Sequence, residues 1–249
     1  MTDTAVPARL EWRVATVVHV RDETAHAKTL ILDVPQWPGH RAGQHVDVRL
    51  IAEDGYEAQR SYSIASPPEE GTVALTVERI ESGEVSPYLC DVLREGDGVE
   101  LRGPIGGYFV WNVSYGGPLL LVGGGSGIVP LMAMLRHYAR AEPDVRERVE
   151  IRLIYSVRAA ADVIYMKEVD ALARSTGVRI ELTFTRAAPE GWQGYHRRID
   201  RAMLEEVSWP ASARQHAYVC GPTPFVESVA TLLVELGHDP ARVRTERFG

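Results

Sequence analysis

Leu119-Leu120-Leu121-Val122-Gly123-Gly124-Gly125-Ser126-Gly127-Ile128-Val129-Pro130 is the stretch that decides the fold. Four apolar residues in a row read as a strand buried on both faces, as in a parallel sheet. The glycines then break the strand, and an apolar-rich helix is expected from Val129 to Arg140. Glycines between a buried strand and a helix let the backbone approach a pyrophosphate. The helix N-terminus adds free N–H groups and a positive dipole end. The full Gly-x-Gly-x-x-Gly dinucleotide fingerprint is absent, because Pro130 stands at its third position. Nor does an acidic residue close the next strand, where Ser156-Val157-Arg158 is found.

C-terminal to this stretch the strand–helix rhythm repeats. Strands are expected at Glu150 to Tyr155, Arg179 to Thr185 and His216 to Val219. Helices are expected around Ile164 to Ala173, Asp200 to Val207 and Pro224 to Leu236. Val243 to Arg247 adds a last strand. Alternation of this kind builds a parallel sheet with crossover helices. N-terminal to it the rhythm is different. Trp12 to Val20, Thr29 to Val34, His45 to Leu50, Arg60 to Ala65, Val73 to Ile80 and Gly98 to Arg102 are short runs split by Pro, Gly and acidic residues. They suggest an antiparallel barrel or sandwich with one helix near Pro87 to Leu93. The change falls near Asn112 to Gly117, so two domains are expected, residues 1–113 and 114–249, packed through a short junction.

Composition narrows the function. The chain of 249 residues carries 27 Lys and Arg against 34 Asp and Glu, a net charge of −7. Broad nucleic-acid binding needs a basic face, so it is not expected. With two cysteines, Cys90 and Cys220, the chain cannot hold a four-cysteine zinc or iron–sulfur site. The eight histidines show no metal-ligand spacing, and no metal is expected. His45 and its neighbours in this half read as solvated or strand-capping, and Glu69-Glu70 as loop solvation. Met1 to Leu10 shows no basic segment followed by an apolar run. The apolar window from Leu119 to Leu135 is too interrupted for a membrane span. A cytoplasmic protein is expected.

Five short motifs stand in order: Arg60-x-Tyr62-Ser63, Gly83-x-x-Ser86, Gly103-Pro104-x-Gly106, Gly125-x-Gly127-x-x-Pro130 and Cys220-Gly221-Pro222. Their types, order and spacing resemble the ferredoxin–NADP(H) reductase superfamily of flavoproteins, over nearly the whole chain. The resemblance implies an N-terminal antiparallel flavin-binding β-barrel and a C-terminal α/β domain with a five-stranded parallel sheet for the pyridine nucleotide.

Roles follow from the resemblance residue by residue. Arg60 would pair with the flavin pyrophosphate, Tyr62 would stack on the isoalloxazine, and Ser63 would hydrogen-bond near flavin N5. Gly83 and Ser86 would hold the pyrophosphate at a helix start, where Ser86 can equally serve as an N-cap ahead of Pro87. Thr76 and Val77 count among the cofactor-binding residues. Gly125, Gly127, Pro130, Gly221 and Pro222 would cradle the nicotinamide nucleotide. Cys220 would lie beside nicotinamide C4, shaping the stack without acting as a nucleophile. Thr185-Arg186, with Arg198 a dozen residues on and Arg158 assisting, favours NADPH over NADH. Glu246 and Phe248 match a family tail in which an aromatic ring covers the flavin, although Phe replaces Tyr and Gly249 trails it. Ser63, Cys220 and Glu246 are the implied catalytic set.

The implied activity is an FAD-dependent NAD(P)H oxidoreductase. It would pass hydride from NADPH to flavin N5 and single electrons to a separate protein, such as a ferredoxin, an oxygenase or a metalloenzyme. A stand-alone flavin or small-molecule reductase, and a non-catalytic electron-transfer subunit of a larger complex, fit the same motifs.

Overall fold

The computed structural model describes residues 10–248. Its first half contains six strands: β1 Arg13–Thr24, β2 Ala27–Asp33, β3 His45–Ile51, β4 Glu57–Ser63, β5 Val73–Glu78 and β6 Gly98–Ile105. They form one sheet in the order β4-β3-β6-β1-β2-β5 with antiparallel pairing. An Ile64–Leu75 bridge joins the two edges, so the sheet closes into a barrel. Alternation drives this closure. Ala15 and Val17 of β1 are buried with Val46 and Val48 of β3 and Leu101 of β6, while Val14 and Val18 face outward.

The helix expected near Pro87 to Leu93 is a single α turn, α1 (Val85–Pro87), running into a π turn over Tyr88–Val92. The Leu93 N–H donates to Tyr88 O. Ser86 therefore sits inside the helical segment and does not cap it. Its Oγ instead accepts from the Ile80 N–H at 3.0 Å, fastening the Gly83 turn.

The second half is a five-stranded parallel sheet in the order β11-β10-β7-β8-β9. These strands are β7 Leu119–Gly124, β8 Ile151–Ala159, β9 Arg179–Ala187, β10 His216–Pro222 and β11 Val243–Phe248. The helices are α2 Ile128–Arg140, α3 Pro143–Arg146, α4 Met166–Thr176, α5 Arg201–Val207 and α6 Thr223–Glu235. All six residues of β7 are buried. Leu119 and Leu121 pack with α2, whereas Leu120 and Val122 pack with α5 and α6. Helix α4 starts two residues later than its apolar pattern suggested, because Tyr165 adopts φ 62° and breaks the entry. The chain order places β8 and β9 on one side of β7, and β10 and β11 on the other. The strand order thus reverses between β7 and β10, and ligands of open α/β sheets bind at such switch points, outside the carboxyl ends of the strands.

A shared core joins the halves. Ala42, Ala65, Ala74, Phe109 and Trp111 from the first half lie in one buried cluster with α2. Polar contacts fasten the seam. The Arg136 guanidinium forks onto Glu168 at 2.7 and 2.6 Å and also donates to Ala65 O at 2.6 Å. His137 pairs with Glu69 at 2.6 Å, and Arg140 pairs with Glu70. The two glutamates that read as loop solvation therefore tie the barrel to α2.

Candidate functional site

Strand β4 carries the flavin motif. Arg60 is exposed, and the facing carboxylate is Glu84 at 3.8 Å. Tyr62 is half-buried against the barrel core, and burial pushes its phenol well above the ordinary value. Ser63 ends the strand, opposite His45 of β3 in the pairing register. The Gly83 turn is tight: a Cβ there would lie 3.1 Å from both Ile80 O and Ser86 Oγ. An exposed guanidinium that faces Glu84 and donates to Gln59 O at 2.7 Å, an aromatic ring and a glycine turn thus lie on and beside β4. Thr76 and Val77 are placed differently. The Thr76 hydroxyl bonds Thr29 at 2.8 Å and the buried Tyr165 hydroxyl across the seam, and Val77 lies in the barrel core. Neither side chain is free to meet a cofactor.

The second half supplies a cradle of backbone. Gly125 has φ 56° with open space where a Cβ would point, a conformation that glycine adopts without steric cost. Gly127 has no room at all, since a Cβ would sit 2.1 Å from Cys220 O. Gly124 and Gly221 are both pressed against the Phe225 ring. Pro130 is buried in the first turn of α2, which carries no acidic residue and no side-chain cap. Thirteen residues of helix thus aim an unblocked N-terminus at the switch point.

Between these two surfaces lies a cluster from both domains. Cys220 and Glu246 are register partners on β10 and β11, with Sγ 4.0 Å from Oε2. Glu246 Oε1 reaches 3.8 Å from His45 Nδ1 on the barrel. Burial raises the Glu246 carboxyl to about 7. Burial, then the Glu246 charge, pushes the Cys220 thiol well above its usual value, so it stays a neutral thiol and not a nucleophile. Burial lowers His45, with Asp47 opposing. Register links Ser63 to His45, and proximity links His45 to Glu246 and Glu246 to Cys220. His45 is the member that the sequence did not single out. Only the β3–β4 register and the approach of β11 reveal it. Phe248 stands 39% exposed at the end of β11, paired in register with Pro222. Gly249 lies outside the described residues.

At the far edge, the segment Tyr195 to Arg198 folds back onto β9. Thr183 bridges to Tyr195, and its hydroxyl donates to Arg197 O. This brings the second basic stretch beside Thr185-Arg186. The Thr185 hydroxyl donates to Val157 O at 3.2 Å. Arg158, Arg186 and Arg198 are exposed at this end of the sheet. None of the three guanidinium groups has an ion-pair partner among the described residues. Among the described residues no group of three or more His, Cys, Asp and Glu could hold a metal ion, and no helix is long and apolar enough to cross a membrane.

A closed barrel with an Arg-x-Tyr-Ser strand, set against the switch point of a parallel nucleotide sheet, defines a two-domain flavin and nicotinamide oxidoreductase. Comparison with known proteins agrees. Residues 14–110 match the oxidoreductase FAD-binding domain family, and residues 121–231 match the oxidoreductase NAD-binding domain family. The glycine betaine monooxygenase reductase subunit of Pseudomonas aeruginosa is 31% identical over 237 residues, covering 93% of this chain and 63% of that protein. A cytochrome P450 reductase from Amycolatopsis superposes with a TM-score of 0.80 at 27% identity, over 100% of this chain and 73% of that one. The cytochrome b5 reductase domain of Ulva prolifera nitrate reductase shares the fold, with a TM-score of 0.84 at 23% identity over 95% and 97% of the two chains. The chain belongs to the ferredoxin–NADP(H) reductase superfamily of FAD- and NAD-binding oxidoreductases.

Proposed function

We propose that this protein is the reductase of a redox pair, taking two electrons from NADPH and delivering them singly to a separate acceptor protein. The acceptor class is a ferredoxin, an oxygenase component or another metalloenzyme. The observation that carries this reading is the Ser63–His45–Glu246–Cys220 cluster, which joins the flavin strand to the nucleotide sheet at the seam. FAD, when bound, supplies the step between a hydride donor and a one-electron acceptor. Arg60 and the Gly83–Ser86 turn hold its pyrophosphate, and Tyr62 lies against its ring. Gly125 and Gly127, with the α2 N-terminus, hold the nucleotide pyrophosphate, while Gly221 and Pro222 shape the nicotinamide side. Cys220 packs there as a neutral thiol. Glu246 holds or releases a proton near neutral pH beside His45. The three unpaired arginines, Arg158, Arg186 and Arg198, support a preference for the 2′-phosphorylated nucleotide. The domain division falls at residues 113 and 114, and the cytoplasm is the compartment.

The matched proteins include a monooxygenase reductase subunit and a P450 reductase, which favours a protein acceptor over a small molecule. The test is the visible spectrum of the purified protein followed by anaerobic titration with NADPH and NADH. A flavin spectrum bleached in proportion to added NADPH, complete at about one equivalent, with ferricyanide then reduced catalytically, is the expected result. A colourless protein that binds no added FAD would overturn the reading.

A further inference from the structure

A short seam closes the barrel. The β3–β4 ladder runs from His45–Ser63 to Ile51–Glu57, and the β2–β5 ladder from Ala27–Glu78 to Leu32–Val73. The two edge strands, β4 and β5, meet at the Ile64–Leu75 bridge, with the Ala65 N–H donating to Ala74 O at 2.7 Å. Ser66 Oγ adds one stitch, accepting from the Ala74 N–H at 3.0 Å. This closure begins one residue past Ser63. The groups that hold it shut therefore also hold the strand end that carries Tyr62 and Ser63.

Two buried side chains of the other domain brace this seam. Arg136 of α2 donates to Ala65 O at 2.6 Å, on the β4 side. Tyr165, just before α4, hydrogen-bonds the Thr76 hydroxyl, on the β5 side. The braces support each other. The Arg136 guanidinium lies 4.8 Å from the Tyr165 ring centroid, and its remaining nitrogens fork onto Glu168. A planar guanidinium can serve a carbonyl and a carboxylate at once in fixed geometry, which an ammonium cannot. Tyr165 has φ 62°, a conformation that a bulky residue keeps only where its surroundings hold it. Ile128 begins α2, and Arg136 follows two turns later, about 12 Å along the axis. One helix thus meets the nucleotide cradle at its N-terminus and the end of the flavin strand further on.

We propose that Arg136 is a positioning residue for the flavin: through Ala65 O it holds the β4–β5 closure shut and sets where Tyr62 and Ser63 stand before the nucleotide cradle. The proposal rests on the flavin reading of Tyr62 and Ser63. The test is amide hydrogen exchange on flavin-free protein, joined to steady-state kinetics with FAD bound. In Arg136→Met the Ala65 and Ala74 amides exchange roughly tenfold or more faster, through loss of a hydrogen bond from a charged group. The Leu30 and Val48 amides, inside the ladders, stay within about twofold. With FAD bound, kcat for NADPH-driven ferricyanide reduction falls about tenfold while KM for NADPH changes little, since the cradle is intact and the ring alignment is not. Arg136→Lys keeps one donor for Ala65 O and loses the fork, so it falls between wild type and Arg136→Met. It carries the same comparison if the methionine variant does not fold. Exchange that rises equally at all four amides makes Arg136 a general packing residue and overturns the proposal, as does unchanged exchange at Ala65 and Ala74. Local opening with unchanged kcat overturns the link to the flavin. Wild-type protein that binds no FAD overturns the flavin reading itself, a result separate from the exchange data.

Discussion

The surfaces proposed for the nucleotide and for the flavin are built from different material in the two halves. At the ends of β7 and β10 the surface is backbone: Gly124, Gly127 and Gly221 have no space for a Cβ. Along β4 and the Gly83 turn it is largely side chain: a guanidinium, a phenol and two hydroxyls. A backbone surface is damaged by adding atoms, and a side-chain surface by removing them. The two halves should therefore fail in opposite ways.

The largest effect is expected from a single added methyl group. Gly127→Ala would place a Cβ 2.1 Å from Cys220 O and 2.8 Å from Gly221 N, all backbone that cannot rotate away. Activity with NADPH, as kcat/KM, should fall by roughly a hundredfold, because a backbone clash that cannot relax sits at the upper end of the overpacking cost, about 3 kcal/mol, and moves the cradle itself. Bound flavin per chain should persist. Gly125→Ala meets no atom and suffers only its left-handed backbone, a cost of about 1–2 kcal/mol. Equal damage from the two alanines would show that the turn acts through conformation and not through close approach.

Removal of one charge from each half comes next. Arg60→Ala should weaken FAD binding, measured by fluorescence, roughly ten- to a hundredfold, since a charge-assisted hydrogen bond contributes about 1.5–3 kcal/mol. Arg186→Ala should lower kcat/KM for NADPH by a similar factor and leave NADH nearly untouched. Equal loss with both nucleotides would make Arg186 a structural residue and blur the contrast between the halves.

The seam responds to pH. The folded value of Glu246, about 7, lies above the ordinary 4.5, so the native state binds this proton more tightly than the unfolded chain does. The stability associated with it is fully present below about pH 4.5 and is lost as pH rises to 7. Above that pH the buried carboxylate is a burden on the order of 2–3 kcal/mol. Glu246→Gln should accordingly stabilise the flavin-free protein by roughly that amount at pH 8 and hardly at all at pH 4, as read by urea unfolding. A gain that is the same at both pH values would mean that the carboxyl is not desolvated at the seam.

The smallest effect concerns the tail. If Phe248 covers the flavin face, it competes with the nicotinamide for that space. Phe248→Ser should then tighten nucleotide binding to oxidised enzyme about three- to tenfold, from a stacking contribution of about 0.5–1.5 kcal/mol. Difference absorbance measures it. Unchanged affinity and an unchanged flavin spectrum would place the ring outside the stack.

Much of this protein was written locally in the chain. The continuous run Leu119 to Val122 announced a strand covered on both faces, and alternate members of it do pack on opposite helical layers. Gly125-x-Gly127 stood out as glycine, and the structure gives each a reason: Gly125 takes a left-handed backbone and Gly127 meets Cys220 O in close approach. Arg60-x-Tyr62-Ser63 read as a strand by its period, and it does form the end of β4, while its flavin role came only from the family resemblance. Such features depend on residues a few positions apart, whose geometry the backbone period dictates.

What the sequence could not supply was distance between residues far apart in it. His45 read as a solvated histidine until the β3–β4 register and the approach of β11 brought it to Glu246, 201 positions later. Nothing local to Thr76 announced that its hydroxyl meets that of Tyr165, 89 positions later, across the seam. For Ser86 the sequence left a pyrophosphate contact and a helix cap equally open, and the turn, by placing its Oγ on the Ile80 N–H, removes the cap. Local composition fixes which face of an element is apolar, and so which elements form. Where two polar groups meet across a seam depends on how whole domains pack, and only the tertiary structure decides that.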